Sequence, residues 1–123
     1  MARSSRRFFR ILAILGLCLL LILSFLPHIY KQELHTRGFL HGPAHLVLFA
    51  GLTYLWFKSA RSLLQRNSAI AFLMIVALCI ELIQHWVVQI PIEWVDITLD
   101  EFAVLLVGLG MTLISNRRHH RQM

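Results

Sequence analysis

The chain has 123 residues, 12 Lys or Arg against 6 Asp or Glu, and is 58% hydrophobic but only 15% charged. Soluble domains run at roughly 45–50% apolar and about 25% charged. A body this small could not hide so much apolar surface from water, so a soluble core, a secreted disulfide scaffold and a disordered tail are all excluded. The length allows one domain, and four membrane spans of about 20 residues would occupy about 80 positions of it.

The first apolar run, Ile11 to Leu26, is uncharged and is extended by Phe8 and Phe9, giving a span at about 8–27. Its Arg-rich start resembles a signal peptide. The residues Ser24, Phe25, Leu26 and Pro27 make no small-residue cleavage pattern, so a retained span is expected. The second run opens at Pro43, a residue suited to the first turn of a helix, and covers about 43–57. The third covers about 69–88 and carries Glu81 and Gln84; the fourth covers about 95–115, with Asp96, Asp100 and Glu101 at its front. No repeat or long linker divides the chain, so residues 1–123 read as one all-α, polytopic domain.

The basic residues sit beside the apolar runs. Arg3, Arg6, Arg7 and Arg10 precede the first, Lys58, Arg61 and Arg66 separate the second and third, and Arg117, Arg118 and Arg121 follow the fourth. With the N-terminus inside, ten of the twelve cations fall on the inner side and only Lys31 and Arg37 on the outer. Lys and Arg resist translocation, so this bias predicts both termini cytoplasmic, in an inner membrane. Clusters that flank apolar runs in this way mark the cytoplasmic ends of membrane helices, which argues against nucleic acid and for lipid headgroups as partners. Cys18 and Cys79 lie inside apolar runs, without CxxC or metal spacing, and read as small hydrophobes.

On this topology three helices bring ionisable groups to one depth at the outer face. His45 falls in the first outer turns of the second span, below His41. Glu81, Gln84 and His85 share a face in the last turns of the third. Asp96 and Asp100, four apart, share a face at the start of the fourth, and that phase makes Asp100 rather than Glu101 the inward residue. A carboxylate inside a membrane is costly and turns to the bundle interior, so His45, Glu81, Gln84, His85, Asp96 and Asp100 predict a polar pocket open outward. Tyr30, Trp86 and Trp94 read as interface anchors.

The pattern resembles the VanZ-like family of small membrane proteins, whose prototype is linked to teicoplanin resistance. The resemblance rests on His45, Leu46 and Phe49 at a helix start, E-x-x-Q at Glu81 and Gln84, then Pro91 and an Asp opening the last helix at Asp96. It covers about Gly42 to Gly108. It implies a membrane protein of the cell envelope that binds or processes an envelope lipid or glycan. Where the family pattern has a Lys, an Arg, an Asn and a Gly, this chain has Gly42, Ile90, Asp100 and Ala103. The pocket is thereby more acidic than the family's, which favours a cation, a proton or a histidine counter-charge as occupant.

Each residue also has a plainer role. Glu81 and Gln84 can glue helices together, and Asp96 can cap its helix and complement the dipole. The carboxylates and histidines are ligand types that zinc or manganese accepts, but no HExxH-like motif supports a metal, and none is assigned. No cofactor is implied. No Ser or Cys nucleophile shares the constellation, so covalent hydrolysis is disfavoured and the presence of any reaction is left open. Two alternatives stand beside the lipid or glycan site: a proton- or cation-coupled transport element, for which four helices would need to pair with a second copy, and a non-enzymatic partner subunit whose polar residues only lock the bundle.

Overall fold

The computed structural model describes residues 3–25, 41–89 and 91–121. They form four helices: α1 (Arg3–Ser24), α2 (His41–Ser59), α3 (Leu63–Val88) and α4 (Trp94–Arg121). Three of them, α1, α3 and α4, are long and apolar enough to cross a membrane. At 1.5 Å per residue, even the shortest of these three is about 33 Å long, slightly more than a bilayer's hydrocarbon core. The fourth helix, α2, is not in that class, because His45, Thr53, Tyr54 and Lys58 interrupt its apolar run.

The placement of α2 compensates for its composition. It packs against all three other helices, and its Phe49, Leu52, Thr53, Phe57 and Ser59 are buried. Only Val47 and Tyr54 of its large apolar side chains are exposed, whereas α1, α3 and α4 each expose a row of them, such as Ile11, Leu15 and Ile22 or Leu105, Leu109 and Leu113. The helix without a membrane-length apolar stretch is the sheathed one, and the apolar outer surface is what a lipid environment demands. Cys18 and Cys79 are free thiols on that exposed surface. The core runs through Leu20, Phe49, Leu52, Leu73, Ala77, Ile80, Ala103 and Val104.

The helices extend past the apolar windows. The third begins at Leu63 rather than 69, the fourth runs to Arg121 rather than 115, and the first starts at Arg3 but stops at Ser24, short of 27. Arg and Gln are good helix formers, so the charged flanks continue the helices that the apolar segments start. At α3 the start is set by a cap: Ser62 Oγ accepts from the Gln65 N–H at 3.2 Å, and Gln65 Oε1 accepts from the Arg61 N–H at 2.7 Å. At its other end Gln89 takes a left-handed conformation, φ 60°, a common way to stop a helix. Buried or lipid-facing hydroxyls satisfy themselves locally: Ser24, Thr53, Thr98 and Thr112 each donate to the carbonyl four residues back.

Two glycines permit close helix approach. A Cβ at Gly16 would lie 2.9 Å from Leu52 Cδ2, and one at Gly108 would lie 2.6 Å from Ile70 Cδ1, whereas one at Gly110 meets nothing within 4 Å. Close approach to the neighbouring helix thus holds at Gly108 and not at Gly110. Gly108→Ala should lower stability by about 1–2 kcal/mol through overpacking, and Ile70→Val should recover part of that loss. Gly110→Ala should be neutral or stabilising by up to about 1 kcal/mol. Thermal unfolding in detergent reads all three; equal behaviour of the two alanine variants would refute the close α3–α4 contact.

Candidate functional site

The alternating direction of the helices gathers opposite charges at opposite ends. The starts of α2 and α4 and the ends of α1 and α3 make an acidic end, and the other helix termini make a basic one. Every described carboxylate, Glu81, Glu93, Asp96, Asp100 and Glu101, belongs to the acidic end.

Asp100 and His45 form its centre. Asp100 is 2% exposed, and the His45 Nδ1 lies 3.0 Å and 3.2 Å from its two carboxylate oxygens. With Asp100 ionised the proton is on Nδ1, which donates, and protonation of the ring would make the contact an ion pair. The imidazole also stacks on Phe49, one turn along α2, with centroids 6.5 Å apart. Glu81 and Asp96 are each 5% exposed and lie within electrostatic reach of His45. The carboxylate of Glu81 accepts a long bond, 3.4 Å, from the Glu93 backbone N–H. That contact fastens α3 to the residue whose carbonyl accepts the first backbone bonds of α4, from Asp96 and Ile97.

The structure therefore brings together His45, Glu81, Asp96 and Asp100 of the six residues that the sequence groups. Gln84 turns elsewhere: its Nε2 donates to the Ser24 carbonyl at 2.5 Å and ties α3 to the end of α1. His85 lies on the exposed side of α3, edge-on to Trp86. Glu101 is half-buried, and its Oε2 finds no hydrogen-bond partner among the described residues. Trp86 and Trp94 are exposed at this end, by 76% and 69%; Tyr30 lies outside the described residues. Two clefts open at the basic end, of about 430 Å³ and 510 Å³. Among the described residues no group of three or more His, Cys, Asp or Glu is arranged to hold a metal ion.

Two contacts here had no sequence signal of their own. The Gln84–Ser24 bond depends on how α3 is rotated against α1, and the role of Glu93 is played by its backbone. Comparison of the chain with protein-family models, with curated proteins and with solved structures finds no match.

The Gln84 bond makes a graded prediction. Gln84→Leu should cost about 0.6–1.5 kcal/mol, the worth of one helix-to-helix hydrogen bond. Gln84→Glu should cost more, since an ionised carboxylate has nothing to donate and would face a carbonyl. His85→Ala should stay within about 0.5 kcal/mol of wild type. Unfolding in mixed micelles measures the order; a Gln84→Glu variant as stable as His85→Ala would disprove the bond.

Proposed function

We propose that the protein is a VanZ-like integral membrane protein of the cell envelope whose acidic end engages an envelope lipid or glycan. The observation that carries this reading is the convergence of His45, Glu81, Asp96 and Asp100, from three helices, at one end of the bundle. Polar clusters of this cost are retained inside membranes chiefly where they act. In this reading α2 is a fourth span, shielded from lipid by its neighbours. Ten of the twelve Lys and Arg flank the basic side, so that end is cytoplasmic, both termini lie inside, and the cluster faces outward. Carboxylates and an imidazole match hydroxyl or ammonium groups, which points to a sugar or amine-bearing headgroup rather than a bare phosphate. Trp86 and Trp94 would then anchor the outer interface or stack on a sugar ring.

A second reading is favoured by one observation: buried carboxylates of α3 and α4 gather about the His45 imidazole. Clustered carboxylates and an imidazole are groups that take up and pass on protons or small cations. This is the proton- or cation-coupled alternative, and it predicts pH-dependent flux in liposomes.

The deciding experiment is native mass spectrometry of gently extracted protein, beside Glu81→Gln and Asp96→Asn. The lipid or glycan reading predicts a specific envelope lipid on the wild type that both folded variants lose. Identical bulk phospholipids on all three would contradict it and favour a partner subunit with a purely structural cluster.

A further inference from the structure

The basic end carries a site of different chemistry. A cleft of about 510 Å³ opens there, lined by Arg6 of α1, Lys58 of α2, Arg61 of the following turn and Arg66 of α3, with Ser115 and apolar residues of α4 beneath. Four cations thus converge from three helices and a turn, and no carboxylate lines the cleft. The described carboxylates cannot reach it: along α3 alone, Glu81 stands fifteen residues from Arg66, about 22 Å at helical rise.

Arg66 is held in place without being neutralised. Its guanidinium lies over the Phe57 ring, 4.6 Å from the centroid, and its Nη1 donates to Ser115 Oγ at 3.0 Å. Neither contact carries negative charge. The Nε atoms of Arg66 and of Arg6 are buried with no hydrogen-bond partner among the described residues. Lys58 rests against the Tyr54 ring, at 5.6 Å. A buried donor left unmade is costly, and four like charges repel one another across a cleft with low-dielectric walls. An anion that accepts several hydrogen bonds at once removes both costs. A phosphate does so, and the planar fork of arginine matches its oxygens. The volume falls within the usual range for a small-molecule or headgroup site.

We propose that this cleft binds a phosphate-bearing anion, held by Arg6, Arg61 and Arg66. The phosphate can belong to a lipid headgroup, with its chains along the exposed apolar face of α4, or to a soluble phosphate compound. This site is independent of the acidic cluster at the other end.

The test uses the full-length protein in a neutral detergent, with two probes: phosphatidic acid in mixed micelles, and inorganic pyrophosphate in the same detergent without lipid. At least one should raise the unfolding temperature in a saturable manner. Arg6→Gln and Arg61→Gln should each weaken that effect about tenfold or more, the loss of a charge-assisted contact. Arg117→Gln, which removes an equal charge outside the cleft, should change it less than about twofold. These variants avoid Arg66, whose contact with Phe57 and Ser115 supports the fold. Protection by phosphatidic acid alone assigns the site to a lipid headgroup; protection by pyrophosphate with the same arginine dependence assigns it to a soluble phosphate. No saturable protection by either probe, or an Arg117→Gln loss as large as that of Arg6→Gln, would overturn the proposal in favour of diffuse surface charge.

Discussion

The contact between His45 and Asp100 is the constraint around which the bundle is organised. Asp100 lies nearly two turns into α4, too deep to be met by water from the helix end and too costly to leave unpaired in an apolar surrounding. His45 is its counterpart on α2, and the bond between them fixes the rotation of both helices. With Asp100 turned inward, helical phase brings Asp96 to the same face one turn earlier. With His45 turned toward α4, Phe49 and Thr53 follow into the core on α2. A single polar pair thus accounts for the central place of α2: His45 has a partner there that lipid could not offer.

The same geometry separates the charges of the molecule. Carboxylates collect where α4 begins, and the first-turn position of Asp96 complements that helix dipole, while Lys58 near the end of α2 does so with opposite sign. Each end therefore presents one kind of chemistry. At the acidic end His45 is bonded to Asp100, with Glu81 and Asp96 buried beside them. At the basic end an open cleft gathers guanidinium groups whose donors are only partly used. Apolar contact through Leu20, Phe49, Leu73 and Val104 joins the two ends, and Gly16 and Gly108 allow the helices to approach closely enough to make it.

Much of this is legible in the sequence, for identifiable reasons. The apolar runs are long and the charges flank them, so four helices and their alternating direction follow from hydropathy and charge. The i, i+4 spacing of Asp96 and Asp100 distinguishes Asp100 from Glu101, because neighbouring residues on a helix point about 100° apart. Helix ends were less accessible to hydropathy, since Arg and Gln extend a helix without adding apolar signal; the S-x-x-Q pattern at Ser62 and Gln65 marks the true start of α3 and is local enough to be read. Spacing places Gln84 and Glu81 on one face, yet Gln84 reaches Ser24 on α1 while Glu81 stays with the cluster. Faces are broad, and the side of a face that meets a given neighbour is decided by packing that a single sequence does not encode locally. The cleft was hidden for the same reason: Arg6, Arg66 and Ser115 are far apart in the chain and appear as flanking charges until the helices are assembled.

The most direct measurement is a double-mutant cycle on His45→Ala and Asp100→Ala, read as unfolding free energy in mixed micelles. If the pair organises the bundle, either single change leaves a buried polar group without its partner and costs about 3–5 kcal/mol. The double variant should then be no less stable than the less stable single, with a coupling energy of about 3 kcal/mol or more. Additive losses would show that the two side chains act separately, and would contradict the account of α2 and α4 as helices positioned by one another.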